Sequence, residues 1–215
     1  MKRREFLQNL SIAGAGVIIL GNYAFITVSQ TGSKTYKAIV VNFDVCSGCR
    51  TCESACSAFN HKVQIDNEWI NGAGNPWLSN IRVHHFNPDV DIPNMCSFCE
   101  DAPCIEACPT EVDEAKGHQA LYRTAGSMII MNDPDLCISC KSCVRACRDK
   151  RRGVLFANPE TGNPERMCTL CNGDPQCVKY CPYGALSYIE TDDTRDFAGL
   201  SPEQIAESLI AKYYS

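Results

Sequence analysis

The chain has 215 residues, 45% of them hydrophobic, and a formal net charge of -5. That length suits one compact domain or two small ones, and the composition excludes a disordered or fibrous chain. The acidic balance gives no sign of a nucleic-acid surface, which calls for a net basic face, so a protein partner is expected instead.

At the N-terminus, Lys2-Arg3-Arg4-Glu5-Phe6-Leu7 sets twin arginines ahead of an uncharged run that reaches Ser33, the layout of a twin-arginine export signal. Export of an already folded chain suits a protein whose metal is inserted first. No good Ala-x-Ala cleavage site follows the apolar stretch. Residues 10–28, at helical rise, cover most of a hydrocarbon core about 30 Å thick. Residues 1–33 are therefore expected to be a twin-arginine signal or an uncleaved membrane anchor helix, weakened by Gly14, Gly16 and Gly21. The expected location is the periplasm or the outer face of the cytoplasmic membrane.

Next, Lys37-Ala38-Ile39-Val40-Val41-Asn42-Phe43 reads as a strand leading through Asp44 into Cys46, and Met128-Ile129-Ile130-Met131-Asn132 leads through Asp133 into Cys137 in the same way. The sixteen cysteines fall into four quartets with none left over: Cys46, Cys49, Cys52, Cys56; Cys96, Cys99, Cys104, Cys108; Cys137, Cys140, Cys143, Cys147; and Cys168, Cys171, Cys177, Cys181. The second and fourth also match, Met95-Cys96-Ser97-Phe98-Cys99 against Met167-Cys168-Thr169-Leu170-Cys171, and both end in Cys-Pro. The order is an internal repeat of a two-quartet unit, with an insertion at residues 57–94 in the first copy. Turn-forming Asn71-Gly72-Ala73-Gly74-Asn75-Pro76 and alternating Ile81-Arg82-Val83-His84 make that insertion a surface hairpin or loop. Ser201-Pro202-Glu203-Gln204 supplies an N-cap, an N1 proline and a capping-box glutamine, so a helix with Ile205, Leu209 and Tyr213 on one face follows. Residues 34–195 are expected to form the metal-binding domain, and 196–215 a C-terminal docking helix.

Four-ligand metal sites are the natural use of cysteines in multiples of four. The first and third quartets, Cys-x2-Cys-x2-Cys-x3-Cys, follow the bacterial ferredoxin run. There, three close thiolates wrap three corners of a 4Fe-4S cubane and the fourth serves the neighbouring cluster. The second and fourth keep this logic with a longer third gap. Zinc ribbons use two knuckles of two cysteines and have no place for a third at the same short spacing. A disulfide scaffold would give many competing bridges, and a chain of this length does not need eight staples. The gap from Cys108 to Cys137 resembles that between the halves of a two-cluster ferredoxin, which pairs the middle quartets and, by exclusion, the outer two. Pairing of adjacent quartets, the first with the second and the third with the fourth, is the alternative.

The quartets and the leader together resemble the four-cluster iron-sulfur subunits of dimethyl sulfoxide reductase-type molybdenum and tungsten oxidoreductases, over roughly residues 37–190. Cys46-Ser47-Gly48-Cys49-Arg50-Thr51-Cys52-Glu53-Ser54-Ala55-Cys56-Ser57 and Asn75-Pro76-Trp77-Leu78-Ser79-Asn80-Ile81-Arg82-Val83 are similar to the polyferredoxins that accompany tungsten aldehyde oxidoreductases. The first resemblance implies outer-with-outer pairing and hence four 4Fe-4S clusters: Cys46, Cys49, Cys52 with Cys181; Cys96, Cys99, Cys104 with Cys147; Cys137, Cys140, Cys143 with Cys108; Cys168, Cys171, Cys177 with Cys56. It also implies a catalytic molybdenum or tungsten subunit as partner, with a membrane anchor or a quinone or cytochrome partner beyond it.

The expected fold is α+β, two ferredoxin-like modules of short strands and helices (second with third quartet, first with fourth) plus the N-terminal helix. The expected function is electron transfer without catalysis, either as a permanent subunit or as a free or membrane-tethered polyferredoxin shuttle. His61, His84, His85 and His118 are scattered and read as ordinary histidines. Lys141, Arg145, Arg148, Lys150, Arg151 and Arg152 crowd the third quartet, whereas Glu100, Asp101, Glu106, Glu111, Asp113 and Glu114 lie near the second. This contrast predicts a higher potential for the Cys137 cluster than for the Cys96 cluster.

Overall fold

The computed structural model of the chain describes residues 17–19, 25–27, 35–72, 74–191 and 196–214. The described parts of the leader are two paired antiparallel strands, β1 (Val17–Ile19) and β2 (Phe25–Thr27). They replace turns of the expected helix, as β-branched and aromatic triplets between glycines favour extended backbone. The rest of the expected leader helix lies outside the described residues. Among the described residues no helix is long and apolar enough to cross a membrane.

Thr35–Ser215 forms one compact unit of mixed helix and short strand, an α+β arrangement. It begins with β3 (Tyr36–Val41) and passes through the first cysteine loop into α1 (Thr51–Asn60). The insertion makes two hairpins. In the first, β4 (Val63–Ile65) pairs with β5 (Glu68–Ile70) across Asp66 and Asn67, both at positive φ as a tight two-residue hairpin turn needs. In the second, β6 (Arg82–Phe86) pairs with β7 (Val90–Asn94). Then come α2 (Pro103–Glu106), the hairpin β8 (Leu121–Arg123) with β9 (Ile130–Asn132), and α3 (Ser142–Lys150). A small hairpin, β10 (Phe156–Ala157) with β11 (Pro164–Glu165), leads to α4 (Gln176–Lys179). Finally β12 (Leu186–Thr191) returns to pair antiparallel with β3, from Leu186 opposite Val41 to Thr191 opposite Tyr36, and α5 (Pro202–Tyr214) ends the chain.

The capping box at α5 forms reciprocally. The Ser201 amide donates to Gln204 Oε1 at 3.0 Å and the Gln204 amide to Ser201 Oγ at 3.3 Å. Ile205, Ala206 and Leu209 bury against Val90 and Ile92 of β7, so the helix packs on the chain's own insertion hairpin. Tyr213, one turn further on, is exposed and donates its hydroxyl to Asp44, which also accepts from Lys212 at 3.0 Å.

The apolar core away from this corner is thin. One cluster has only Leu121, Ile130 and Leu155 as buried aliphatics beside Cys104, Cys143 and Cys147. The other mixes Ala38, Ile39, Ile81, Met95, Phe98 and Leu186 with Cys52, Cys56 and Cys177. Glu53 is a charged exception inside it, fully buried on α1. Its carboxylate accepts from the Val83 amide at 2.6 Å and from Arg50 Nη2 at 2.8 Å, tying α1 to β6. Glu53→Ala leaves that amide without a partner and is expected to lower stability by about 1–3 kcal/mol, with Glu53→Gln recovering part of it. Chemical denaturation of the iron-loaded chain checks this, and equal midpoints for all three proteins would contradict it.

Candidate metal centre

All sixteen cysteines are free thiols, so no disulfide competes for them. They line four cavities, and every cavity draws three thiols from one quartet and one from another. Cys46, Cys49 and Cys52 meet Cys181. Cys96, Cys99 and Cys104 meet Cys147. Cys137, Cys140 and Cys143 meet Cys108. Cys168, Cys171 and Cys177 meet Cys56. None of the four histidines lines any of these cavities.

The crossing has a simple local cause. Cys52 and Cys56 on α1, Cys104 and Cys108 on and after α2, Cys143 and Cys147 on α3, and Cys177 and Cys181 on and after α4 are each four residues apart. Each pair therefore lies on one helical face, one turn apart. Helix α1 packs on α4, and α2 on α3. Each helix pair thus presents two levels of thiols, and each level faces a different cavity.

The loops before these helices repeat in backbone conformation as they do in sequence. The residue before the second cysteine of every quartet has positive φ: Gly48 (66°), Phe98 (54°), Ser139 (55°) and Leu170 (52°). In the first, third and fourth quartets the residue after it does too, Arg50 and Lys141 at 61° and Asn172 at 56°. Alternating hand turns successive amides toward one side, the geometry of an anion-binding nest. The amides of Gly48, Phe98 and Leu170 accordingly donate to the thiols of Cys46, Cys96 and Cys168, two residues back. A Cβ at Gly48 would in addition meet the Asp91 carboxylate, which would have to shift.

Further donors that the spacing of cysteines does not reveal complete the shell around the sulfurs. The Asn80 amide and Asn60 Nδ2 donate to Cys56 Sγ at 3.3 and 3.5 Å, and the Ala185 amide to Cys181 Sγ at 3.3 Å. The Thr51 and Ser142 hydroxyls, at matching places in the repeat, accept from Cys49 and Cys140 Sγ at 3.4 Å.

Burial pushes the thiols of Cys52, Cys96, Cys104 and Cys177 up to about 12 and that of Cys143 to about 11. Buried thiols of this kind become anionic ligands only when a metal cation replaces the proton. Among the described residues no three cysteine, histidine or carboxylate side chains converge closely enough for a single ion. A zinc ion held by thiolates at about 2.3 Å would need such convergence. Thiols spread around a cavity, with amides aimed at sulfur, fit the chemistry of a cluster that has its own volume and its own negative charge.

The cations are distributed differently from the sequence expectation. Arg151 and Arg152, although they follow the third quartet, line the cavity of Cys96, Cys99, Cys104 and Cys147, because α3 carries Cys147 there. Arg151 also pairs with Asp101, and Arg123, from β8, donates to the Cys99 carbonyl and to the Glu100 carbonyl at 2.8 Å. Only Lys141 of the cationic group lines the Cys137 cavity. Arg151 and Arg152 thus add positive charge at the Cys96 set rather than at the Cys137 set.

A 4Fe-4S binding domain family matches residues 43–58 and 134–150, the first and third cysteine runs. The aliphatic sulfonate oxidoreductase polyferredoxin-like subunit of Pyrococcus furiosus is 36% identical over 146 residues, 66% of this chain and 70% of the relative. The chain belongs to the polyferredoxin-like iron-sulfur electron-transfer subunits. This subunit is also 30% identical over 162 residues to the thiosulfate reductase electron transfer subunit PhsB of Salmonella typhi, covering 69% of this chain and 73% of the relative. Protein NrfC of Escherichia coli K12 aligns over 206 residues at 27% identity, 89% of this chain and 81% of the relative. Two of these relatives are named as subunits of an oxidoreductase or a reductase, one of them as its electron transfer subunit.

Proposed function

We propose that this electron-transfer subunit holds four 4Fe-4S clusters, one in each four-cysteine cavity, and relays electrons between a molybdenum or tungsten catalytic subunit and a membrane or soluble acceptor. The single observation that carries this is the closure of all sixteen thiols into four sets of four, each around its own cavity. A bound cubane supplies a one-electron couple whose potential follows hydrogen bonds, charge and burial. The chain's own residues hold, insulate and align the sites.

The cavities adjoin in a row. Cys52 and Cys56 on α1 link the Cys46 cavity to the Cys168 cavity, and Cys143 and Cys147 on α3 link the Cys137 cavity to the Cys96 cavity. Between the two pairs, Met95 lines the Cys168 cavity while the next residue, Cys96, lines its own, and Met167 lines the Cys96 cavity while Cys168 lines its own. The row therefore runs Cys46, Cys168, Cys96, Cys137 by first cysteine, with two ferredoxin-like modules meeting at the two methionines. Its outermost sets contain the exposed cysteines, Cys49 and Cys140.

A permanent place in a complex is supported by the first insertion hairpin, where Val63, Ile65, Trp69 and Ile70 are exposed, as are Trp77 and Leu78 beyond it. An apolar surface of that kind is normally covered by a partner. In the same reading the leader directs export by the twin-arginine route to the periplasm or the outer face of the cytoplasmic membrane, and either remains as an anchor or is removed.

Arg151→Gln is expected to lower the potential of the Cys96-set cluster by roughly 20–70 mV, since a cation beside a cluster favours its reduced form. Redox titration followed by EPR reads this, and an unmoved potential would show that solvent screens the charge. The function itself is tested by anaerobic purification of the native protein with iron and sulfide analysis, an absorption spectrum and mass spectrometry of co-purifying chains. About sixteen irons with a large molybdenum or tungsten protein is the expected result. Brown protein alone would favour the free shuttle, and a colourless, iron-free chain would overturn both.

A further inference from the structure

The two ends of the row present unlike surfaces. At the Cys49 end exposed Tyr183 lines the Cys46 cavity, and the cation that lines it, Arg50, is held by the buried carboxylate of Glu53. Around Cys140 the exposed apolar residue is Ile138, 66% accessible, and the charges are basic. Lys141 and Ile138 both line the Cys137 cavity. Arg145 donates to the Cys140 carbonyl at 3.3 Å and to Ser142 Oγ at 3.1 Å, which fixes its guanidinium beside the exposed cysteine. Arg148 and Lys150 follow on the exposed side of α3.

Of the carboxylates at this end, Glu111 and Glu114 stand exposed in the segment that follows the cavity-lining Cys108 and Thr110, and others are engaged. Asp133 and Asp135 accept from Lys116 at 2.7 and 3.2 Å, and Asp149 accepts from Arg148 at 2.8 Å. Glu160 stands exposed in the β10–β11 turn, whose neighbour Thr161 accepts from Ser139. Neither Lys141 nor Arg145 forms an ion pair among the described residues, so their charge is available to a partner. Aromatic and apolar surface suits lasting association, whereas unpaired charge around a small apolar centre suits fast, steered and reversible docking.

We propose that the Cys140 edge is an exchange face, on which an acidic soluble electron-carrier protein docks transiently through Lys141 and Arg145 around Ile138. This rests on the relay reading above. One electron passes between the carrier and the chain, and no bond is made or broken.

The test uses the iron-loaded full chain, within its native complex where one co-purifies, and a small acidic two-cluster ferredoxin reduced with dithionite as the probe. The second-order rate of electron transfer is followed by stopped-flow absorption across ionic strength. The expected rate falls as salt rises. Arg145→Glu with Arg148→Glu is expected to cut it at least tenfold at low salt and to flatten the salt dependence, and the milder Arg145→Gln to cut it about threefold. Iron content and reduction by a small viologen dye should stay at parent values in both.

Equal ferredoxin rates for parent and variants, with iron and dye reduction normal, would overturn the docking proposal and leave the relay intact. A chain without iron, or one the dye cannot reduce, would instead overturn the relay. Flotation with phosphatidylglycerol vesicles that is lost in the double variant, together with unchanged ferredoxin rates, would assign the face to anionic lipid and overturn the proposal.

Discussion

Combining Cys147→Ala with Cys99→Ala should leave about twelve irons, the same as either change alone, whereas combining it with Cys140→Ala should leave about eight. Cys147 closes the third cysteine run in sequence, but α3 carries its thiol into the cavity of Cys96, Cys99 and Cys104. Two substitutions in one set remove one cluster, and two substitutions in different sets remove two. Iron analysis of the purified double variants reads the difference directly. The swapped pattern, with the Cys140 combination retaining about twelve, would mean that each run keeps its own cluster and that the cavity linings mislead. The consequence for function is large, because the Cys96 set occupies the interior of the row. Its loss interrupts the relay, so turnover with a partner at one end should fall by orders of magnitude while the surviving clusters remain reducible by small dyes.

Chelation of iron under reducing conditions should unfold the chain unevenly, starting around α2 and α3. That core has three buried aliphatics beside its buried cysteines, too little apolar surface to offset the chain entropy that metal ligation otherwise compensates. Thiols that burial holds neutral contribute little cohesion once the cluster is gone. The corner made by β6, β7 and α5 has no cysteine in its core and keeps Val90, Ile92, Ile205, Ala206 and Leu209 packed. Hydrogen exchange read by mass spectrometry should therefore show protection lost first over residues 103–155 and last over β7 and α5. Uniform loss throughout the chain would indicate a single cooperative unit in which the cysteine-free corner has no stability of its own.

Much of the chemistry was legible without coordinates, because cluster ligation is written in short spacings. The repeat of Met-Cys-x2-Cys, the ferredoxin runs and the Ser201–Gln204 capping box are local relations, governed by a few residues of backbone, and the structure shows the capping box formed. The leader was less legible. Its apolar run reads as a helix by length and hydropathy, yet the described triplets are strands, since neither measure weighs β-branching between glycines.

Long-range relations were decided by tertiary structure alone. Which cavity receives each fourth thiol depends on α1 packing against α4 and α2 against α3, elements far apart in the chain, and spacing left two pairings open. The placement of the cations was decided in the same way. Proximity in sequence assigned Arg151 and Arg152 to the third quartet, while one further turn of α3 delivers them to the second, where Arg123 joins from β8. Glu53 gave no sign that it would be buried, because its partner is the amide of Val83 thirty residues on. The sequence by itself determined which residues can hold the metal. Only the packing of short helices decided which of them meet, because one helical turn is enough to move a thiol or a charge from one cavity to the next.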